Sequence, residues 1–549
     1  MACNKFLRDI LTHEIRLKGI ATDGSSECPR RSRRNIEFFA PYFDSRLCLT
    51  ISKPSRFDTK RMVLPVSERQ SYYADPAIQQ RIADYFGGEL PAHGTAVYVA
   101  PGTEWESFHR QRRPLEECQS WLNHGAELNR SLWDRESLVT HLDIEYVNFD
   151  HPDHPYLAAE EIFELQRPVV SAVESVLKEF HLRPLHLLTG RGHHFVWRID
   201  KHSPAFAQLS ALNRVSASLQ RLYASTQGPA GEIVAAEMGA AFAGLGLVIE
   251  FVAHRAKARA AKECRLPVEL GAIEAGGAER GREVIAMDIT EYADPLCSRV
   301  IRVPFSVYWK PWQQRAQLGE ETVEQLPPMF VIPLDGMDVK EALRIQRNVR
   351  EVERLAARIS TAIPEASQSM GLLVRTYLKS PLARFHEWFY SQEHDAEALW
   401  PETYDLTSLA VLPRSARHIL EHPNDLLLRP ACARLVVRAM LSLGWHPRHI
   451  AGLIRSKYER DYGWGDQWAG FDRATRADFY ARTFSAEFVT GGDNLIDFNA
   501  KSAREEGLCF FEGCTDDLDC FRDSLLNRRK YERLACRPFN GLFLPQEHL

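Results

Sequence analysis

The stretch LVTHLDIEYV (Leu138–Val147) is typical of a β-strand, because apolar and polar side chains alternate through its second half. Side chains of a strand point to opposite faces in turn, so Leu142 and Ile144 share one face while Asp143 and Glu145 share the other. Two carboxylates about 6–7 Å apart on one exposed face repel each other, which favours a divalent cation between them. Mg²⁺ and Mn²⁺ prefer such oxygens and commonly share them with substrate phosphates.

The stretch LLTGRGHHFVWRID (Leu187–Asp200) places a glycine-rich TGRG segment between two apolar runs. This segment is predicted to be the tight turn of a hairpin, with glycines that allow positive φ. Such a turn also lets backbone N–H groups come close to an anion. Beyond the turn, His194 and Arg198 should project from the face opposite the core, with His194 beside Asp143 and Glu145 if the two strands are neighbours.

The stretch RVIRVPFSVYWK (Arg299–Lys310) predicts a further strand, because its side chains alternate strictly from Arg302 onward. One face of that strand is predicted to carry Arg302, Ser306, Tyr308 and Lys310. Their guanidinium, hydroxyl and ammonium groups are donors suited to phosphate oxygens. Just upstream, an apolar run ends in Asp288, which is a candidate third carboxylate, with Glu250 as its rival.

In their order and spacing, these segments resemble the archaeo-eukaryotic primase superfamily, specifically the catalytic small subunit of replicative primases. That family carries an Asp-x-Asp or Asp-x-Glu strand, a Ser/Thr-Gly-x-Gly-x-His hairpin, and an Asp followed by Arg-x-Pro-x-Ser-x-His-x-Lys. The resemblance covers residues 136–310, with Tyr308 at the family's His and Pro311-Trp312 where Thr-Gly is usual. It implies an α/β (α+β) catalytic half with an RRM-like mixed or antiparallel sheet, followed by an α-helical C-terminal domain.

The resemblance also implies roles for individual residues. Two Mg²⁺ or Mn²⁺ ions would be held by the predicted catalytic residues Asp143, Glu145 and Asp288, and Asp288 stands nearer than Glu250 to the family's spacing. The incoming nucleotide would be bound by Thr189, Gly190, Arg191, Gly192, His194, Arg302, Ser306, Tyr308 and Lys310. His193 should point to the opposite side of the sheet and be structural.

The C-terminal part resembles, more distantly, the helical C-terminal domain of the primase large subunit, which carries four cysteines on an iron–sulfur cluster. Ser415 and Ala500 stand at two of those cysteine positions, so we expect a metal-free domain. The alternative is an iron–sulfur cluster or a zinc ion at Cys509, Cys514, Cys520 and Cys536. A basic set could follow a nucleic-acid backbone: Arg429, Arg434, Arg438, Arg448, Arg455 and Lys457.

The order of predicted elements suggests four regions along the chain. They are an N-terminal region (1–135), a catalytic domain (136–330), a helical linker (331–380) and the helical C-terminal domain (381–549). Within them, helical spacing over 158–180 predicts a helix that Pro168 should kink or split in two. A single long helix is predicted after residue 338.

Composition gives weaker constraints. The chain has 549 residues, a net charge of −5 and 45% hydrophobic residues, without a run of about 18 apolar residues, so no membrane partner is expected. The N-terminal residues do not look like a secretory signal, and the 11 scattered cysteines suggest a reducing compartment, so we expect a cytoplasmic location.

Three functions are compatible with the sequence. The leading one is a primase-polymerase that extends or initiates strands on single-stranded DNA or a primer–template duplex, from NTPs or dNTPs. The second is a catalytically weak protein that binds nucleic acid and nucleotides and keeps the fold, which the Tyr308, Ser415 and Ala500 replacements favour. The third is a nuclease or nucleotidyltransferase of a mobile-element or defence system.

Overall fold

A computed structural model of the chain describes residues 64–103, 111–215, 220, 236–275, 281–293, 300–460, 462, 473–493, 495–511 and 517–534. All of them belong to one compact unit, Asp58–Leu549. The mixed α/β class predicted from the sequence is confirmed, and the finer RRM-like type stays a prediction.

Among the described residues, nine strands form two sheets. Their bounds are β1 (Val99–Gly102), β2 (Glu127–Ser131), β3 (Ser137–Asn148), β4 (Leu185–Leu188), β5 (Gly192–Asp200), β6 (Val268–Glu269), β7 (Glu283–Asp288), β8 (Val300–Arg302) and β9 (Ile332–Pro333). The larger sheet has the order β6-β7-β3-β5-β4-β9, and every pair in it is antiparallel except β6 with β7. The smaller sheet, β1-β2-β8, is antiparallel.

Helices surround the sheets and make up most of the C-terminal part of the described chain. Their bounds are α1 (Val66–Tyr73), α2 (Pro76–Phe86), α3 (Cys118–Asn123), α4 (His154–Leu157), α5 (Ala159–Glu179), α6 (Pro204–Ala211), α7 (Ala236–Ala260), α8 (Lys310–Gln313), α9 (Arg315–Leu318), α10 (Glu320–Glu324), α11 (Val339–Gln346), α12 (Val349–Ala356), α13 (Ser367–Leu378), α14 (Pro381–Phe389), α15 (Arg414–Glu421), α16 (Pro430–Ser442), α17 (Pro447–Tyr458), α18 (Arg473–Thr490), α19 (Ala500–Glu505) and α20 (Leu518–Leu534).

Strand β3 is the centre of the larger sheet, because it pairs with β5 on one side and with β7 on the other. Helix α5 covers the sheet face that carries Ile144 and His193, and its Phe163 ring lies 5.2 Å from the His193 ring. His193 also lies 2.9 Å from the ring nitrogen of His186. His193 therefore points away from the carboxylates and into the packed interior, as predicted.

Helix α7 is the most apolar long helix in the described part of the chain. Its length and composition would allow it to cross a membrane, with a mean hydropathy of 1.6 over the best window, but 78% of that window is buried inside the protein. It packs against α5, α6 and β3. This burial is what a core helix requires, so the apolar surface of α7 is accounted for by packing.

Pro168 does not split helix α5, which continues through it as one helix, and the alternative of a kink stays a prediction. Two other local predictions were wrong. The long helix predicted after residue 338 is two short ones, because Asn348 ends the first segment and caps the second by accepting from the N–H of Glu351. The strand predicted from Arg302 onward already ends at Arg302, and Phe305 adopts φ 63°, which an extended strand does not allow.

The sheet region and the C-terminal helices share a buried ion cluster centred on Glu250 of α7. Its Oε2 accepts from Nε of Arg482 on α18 at 3.0 Å, and its Oε1 lies 3.2 Å from Nε2 of His386 on α14. Burial would raise the pKa of Glu250, but Arg482 and His386 hold it well below its ordinary value. Glu250 is thus a charged structural group paired with Arg482 and His386, and it is not the third carboxylate beside Asp143. The predicted domain boundaries stay predictions.

Substitution of Arg482 should show how strongly this cluster joins the two parts. Arg482→Met leaves the fully buried Glu250 carboxylate without its main counter-charge, so we expect the free energy of unfolding to fall by about 3–5 kcal/mol. The matched control is Arg460→Met, which removes a pair with Asp405 whose side chains are 32% and 33% exposed and should cost less than about 1 kcal/mol. Urea unfolding measures both, and equal losses would contradict this account.

Candidate active site

Three polar side chains form a row across the larger sheet. Asp143 of β3 lies directly opposite Asp288 at the end of β7 and directly opposite His194 of β5. Residues that face each other across paired strands point to the same face, so the three side chains are neighbours. The Oδ1 atom of Asp143 lies 3.5 Å from Nε2 of His194. The structure thus brings together residues that are far apart in the sequence.

The carboxylate of Glu145, two residues along the same strand, is surrounded by cations. Arg191 of the hairpin turn forms an ion pair with one of its oxygens, and Nζ of Lys310 lies 3.4 Å from the other. Arg302 adds a further positive charge that acts on Glu145. Three of the predicted phosphate-binding cations therefore gather around one predicted metal-binding carboxylate.

Burial and charge separate the two carboxylates of β3. Burial raises the pKa of Asp143 well above its ordinary value, and the neighbouring charges of Glu145 and Asp288 raise it further. Burial acts in the same direction on Glu145, but Arg191, Lys310 and Arg302 outweigh it and hold the pKa of Glu145 well below its ordinary value. Glu145 is accordingly the charged member of the pair, and Asp143 is the one that a further cation would ionise.

Asp288 is positioned by its own turn. Its Oδ1 accepts from the backbone N–H of Thr290 at 2.9 Å and from the Thr290 hydroxyl at 2.5 Å. This local hydrogen bonding ends β7 and fixes the carboxylate opposite Asp143.

The segment after β8 supplies Arg302, Tyr308 and Lys310 in a different way from the predicted strand. Nε of Arg302 donates to Glu127 at 3.0 Å, while its guanidinium lies 4.7 Å from the centre of the Tyr308 ring. Lys310 begins helix α8 and is buried, and burial followed by the charge of Arg191 lowers its pKa to about 7. Charge is therefore easily lost from this lysine at neutral pH.

Two predicted nucleotide-binding hydroxyls are engaged inside the protein. Ser306 is fully buried, and its Oγ accepts from the backbone N–H of Leu128 at 2.6 Å. The Thr189 hydroxyl is also buried and donates to the carbonyl oxygen of Gly192 at 3.1 Å. Both hydroxyls hold the backbone beside the cluster, and their contact with a nucleotide stays a prediction.

The two glycines of the turn are needed for close approach and not for the positive φ that the sequence suggested. Neither Gly190 nor Gly192 has a positive φ. A Cβ on Gly190 would collide with the Tyr308 ring, and one on Gly192 would collide with the carbonyl oxygen of Ile144 on β3. The missing side chains therefore let the turn lie directly against β3 and beneath Tyr308.

The sheet face that carries the cluster is buried, whereas an exposed face was predicted from the sequence. Asp143 is 9% exposed and His194 is 2% exposed, and a second histidine, His141, packs edge-to-face on the His194 ring at 4.4 Å between centres. Sequence reasoning missed His141, although its position two residues before Asp143 places it on the same strand face. The two-residue spacing between His141 and Asp143 was the feature of the sequence that could have identified it.

In the C-terminal part, most of the predicted basic set is paired inside the protein. Arg434 pairs with Glu269 and Asp497, Arg438 with Asp493, and Arg448 with Asp478. Arg429 pairs with Glu274, Arg455 with Glu459, and the Lys457 ammonium lies 6.0 Å from the Tyr462 ring. These internal contacts do not favour the predicted role along a nucleic-acid backbone.

Two of the four cysteines of the predicted C-terminal metal site lie among the described residues. The thiol of Cys509 donates to the carbonyl oxygen of Phe511 at 3.6 Å and Cys520 is exposed, while Cys514 and Cys536 lie outside the described residues. A cavity of about 120 Å³ is lined by Arg448, Arg455 and Arg482 among others, and it contains none of the residues predicted to bind metal or nucleotide.

Comparisons with known proteins add little evidence about the function of this chain. No protein-family model and no curated protein matches the chain. Among solved structures, the polymerase domain of Mycobacterium tuberculosis ligase D in complex with DNA is similar, with 13% identity and a TM-score of 0.25, over 56% of this chain and 99% of that one. Because this TM-score is low, the functional proposal depends on the residues of the site alone.

Substitution of Gly192 should disturb the site through its backbone, because β5 lies directly against the Ile144 carbonyl at this residue. Gly192→Ala forces β5 away from the Ile144 carbonyl, so we expect a loss of more than about 2 kcal/mol in the free energy of unfolding, since a packed backbone has no room to yield. The control is Gly371→Ala in helix α13, where the nearest atom is the end of the flexible Arg375 side chain and alanine should be neutral or stabilising. Equal stability of the two variants, measured by chemical denaturation, would show that the approach is not required.

Proposed function

We propose that this chain is a nucleotidyltransferase of the primase-polymerase type that joins nucleoside triphosphates on a DNA template. The observation that carries the proposal is the meeting of three carboxylates, Asp143, Glu145 and Asp288, with three cations, Arg191, Arg302 and Lys310, on one face of the sheet. Phosphoryl transfer needs charge neutralisation and positioning far more than covalent chemistry, and this combination provides both.

The carboxylates fit a divalent metal. The Oδ1 atom of Asp143 is buried and has no hydrogen-bond partner among the described residues, although it stands between Asp288 and His194. Asp143, Asp288 and Glu145 would hold the Mg²⁺ or Mn²⁺ ions of the prediction. When bound, such ions neutralise phosphate charge and lower the pKa of an attacking hydroxyl.

The cations are placed to exchange one anion for another. In the structure Arg191 and Lys310 neutralise Glu145, and a triphosphate would offer them competing oxygens while the metal takes over the carboxylate. Arg302 is held against Tyr308 and Glu127, so its guanidinium is fixed in orientation before any nucleotide arrives. The protein would thus bind the triphosphate with groups that are already in position.

Single-stranded DNA or a primer–template duplex, with NTPs or dNTPs, are the proposed partners, and a cytoplasmic location stays part of the proposal. The second candidate is the catalytically weak binding protein. It is favoured by Ser306, whose hydroxyl is already bonded to the backbone of Leu128, and by the buried Tyr308 ring in place of the family's His. Incorporation assays separate the two.

Nucleotide incorporation on a single-stranded template, with and without a primer and with Mg²⁺ or Mn²⁺, tests the proposal. We expect Asp143→Asn and Glu145→Gln each to reduce incorporation by at least about 100-fold, because both groups neutralise charge at the reacting phosphate. The matched control is Asp150→Asn, which follows the same strand but pairs with Arg282 outside the cluster and should retain activity. Wild-type protein that binds nucleotide without extending any strand would support the second candidate instead.

The pH dependence of nucleotide binding tests the role of Lys310. Since its pKa is about 7 in the free protein and an anion binds the protonated form, affinity for a triphosphate should fall as pH rises above about 7, by up to about tenfold per pH unit. Lys310→Arg stays charged throughout this pH range, so the decline should be absent in that variant. Any change that remains in the variant reports titration of the nucleotide itself. Calorimetry between pH 6 and 9 gives both profiles, and identical profiles would exclude a role for this ammonium group.

A further inference from the structure

Three buried side chains converge where β3 pairs with β5: His141, Asp143 and His194. Each can offer one ligand atom, and these atoms all lie within 4.8 Å of one another. Their residues are 4%, 9% and 2% exposed, so bulk water does not satisfy them. Two imidazoles and one carboxylate at this spacing are a common donor set for a transition-metal ion.

The polar atoms of this cluster lack the hydrogen bonds that buried groups normally have. Nε2 of His141, Oδ1 of Asp143 and Nδ1 of His194 are all buried without a hydrogen-bond partner in the described structure. The 3.5 Å between Oδ1 of Asp143 and Nε2 of His194 is an ion-pair distance and is not accompanied by hydrogen-bond geometry. Unsatisfied buried atoms are costly unless something else binds them, and Nε2 of His141 and Oδ1 of Asp143 are the two that a shared ligand could satisfy.

A neighbouring carboxylate orients one of the imidazoles. Nδ1 of His141 lies 2.7 Å from Oε2 of Glu291, and the backbone of His141 exchanges two hydrogen bonds with the Tyr292 hydroxyl, at 3.1 and 2.7 Å. With Nδ1–H donated to Glu291, the free lone pair of the ring is on Nε2, which is the unsatisfied atom. Metal-bound histidines regularly have such a carboxylate behind them.

We propose that His141, Asp143 and His194 bind one divalent transition-metal ion of the zinc class, with Glu291 as a positioning residue. Two ligand atoms, each about 2.0–2.1 Å from a tetrahedral zinc ion, lie about 3.3–3.4 Å apart, which is close to the 3.5 Å between Oδ1 of Asp143 and Nε2 of His194. The ligand atom of His194 is therefore Nε2. Imidazole nitrogens favour this class over Mg²⁺, which takes oxygen ligands and keeps its waters. Three protein ligands leave a coordination position for water or a phosphate oxygen.

This inference deepens the proposed function at one point and can be tested without it. It makes His194 a metal ligand and not a triphosphate contact. Asp143 would then share one metal ion with His194 of β5, in addition to the ion that it would share with Asp288 of β7. Metal binding is measured with no nucleotide present, so its failure is distinct from a failure of incorporation.

The test is titration of the full chain, freed of metal, with Zn²⁺ by calorimetry and with Co²⁺ by absorption spectroscopy. Because the chain has 20 histidines and 11 cysteines, the readout is the equivalent of metal that individual variants lose. We expect His141→Gln and His194→Asn each to lose one equivalent, whereas the exposed His202→Asn keeps it. Millimolar Mg²⁺ should not displace the Zn²⁺.

Three results would overturn the proposal: no bound equivalent in the wild type, unchanged stoichiometry in the folded histidine variants, or displacement of Zn²⁺ by Mg²⁺. If circular dichroism shows that the histidine variants do not fold, Glu291→Gln decides, because it keeps a hydrogen-bonding side chain and all three ligands. A 10–100-fold weaker affinity for Zn²⁺ in that variant supports the site, as loss of such a supporting carboxylate typically costs about that much. Unchanged affinity in Glu291→Gln overturns it.

Discussion

Two carboxylates two residues apart on one buried strand impose a charge problem that the surrounding structure solves. Asp143 and Glu145 share a face of β3, and both are largely shielded from water, which therefore solvates and screens their charges only weakly. The two carboxylates are stabilised differently. Arg191 and Lys310 pair with Glu145, whereas Asp143 lies among Asp288, His141 and His194 and has a raised pKa. Glu145 is therefore an ionised carboxylate with bound counter-charges, and Asp143 is the carboxylate that a metal cation could ionise and bind.

The backbone is arranged to serve this charge balance. The hairpin that carries Arg191 can reach Glu145 because Gly192 lies against the Ile144 carbonyl with no side chain between them. The segment after β8 turns at Phe305 and places Lys310 at the start of a helix, from which its ammonium reaches the same carboxylate. The cations come from two separate elements, so a change in either would alter the pKa of both carboxylates.

Strand periodicity was a sound guide where residues alternate and pair in regular register. It placed Asp143 and Glu145 on one face, His193 and His194 on opposite faces, and Asp288 at a strand end, since each depends on local geometry alone. It failed over residues 303–309, where Phe305 has positive φ and Ser306 turns inward to Leu128. That departure depends on tertiary contacts, which a pattern of alternating residues does not encode.

The sequence also could not distinguish internal from external partners of a charge. Arg434 and Arg438 look like a basic helix face, but each is buried against carboxylates that are distant in the chain. The same holds for Glu250, which lies within an apolar run and pairs with Arg482. His141 was missed because a single histidine before a carboxylate becomes meaningful only when β5 brings His194 beside it.

A crystal structure of the protein with a non-hydrolysable nucleoside triphosphate and Mn²⁺, with anomalous diffraction to locate the metal, tests the central claim most directly. The account predicts a metal peak on the carboxylate of Asp143 and triphosphate oxygens within hydrogen-bond distance of Arg191 and Lys310, both released from Glu145. It would be contradicted by a triphosphate bound elsewhere, for example in the arginine-lined cavity at Arg448 and Arg482, with the ion pairs of Glu145 unchanged.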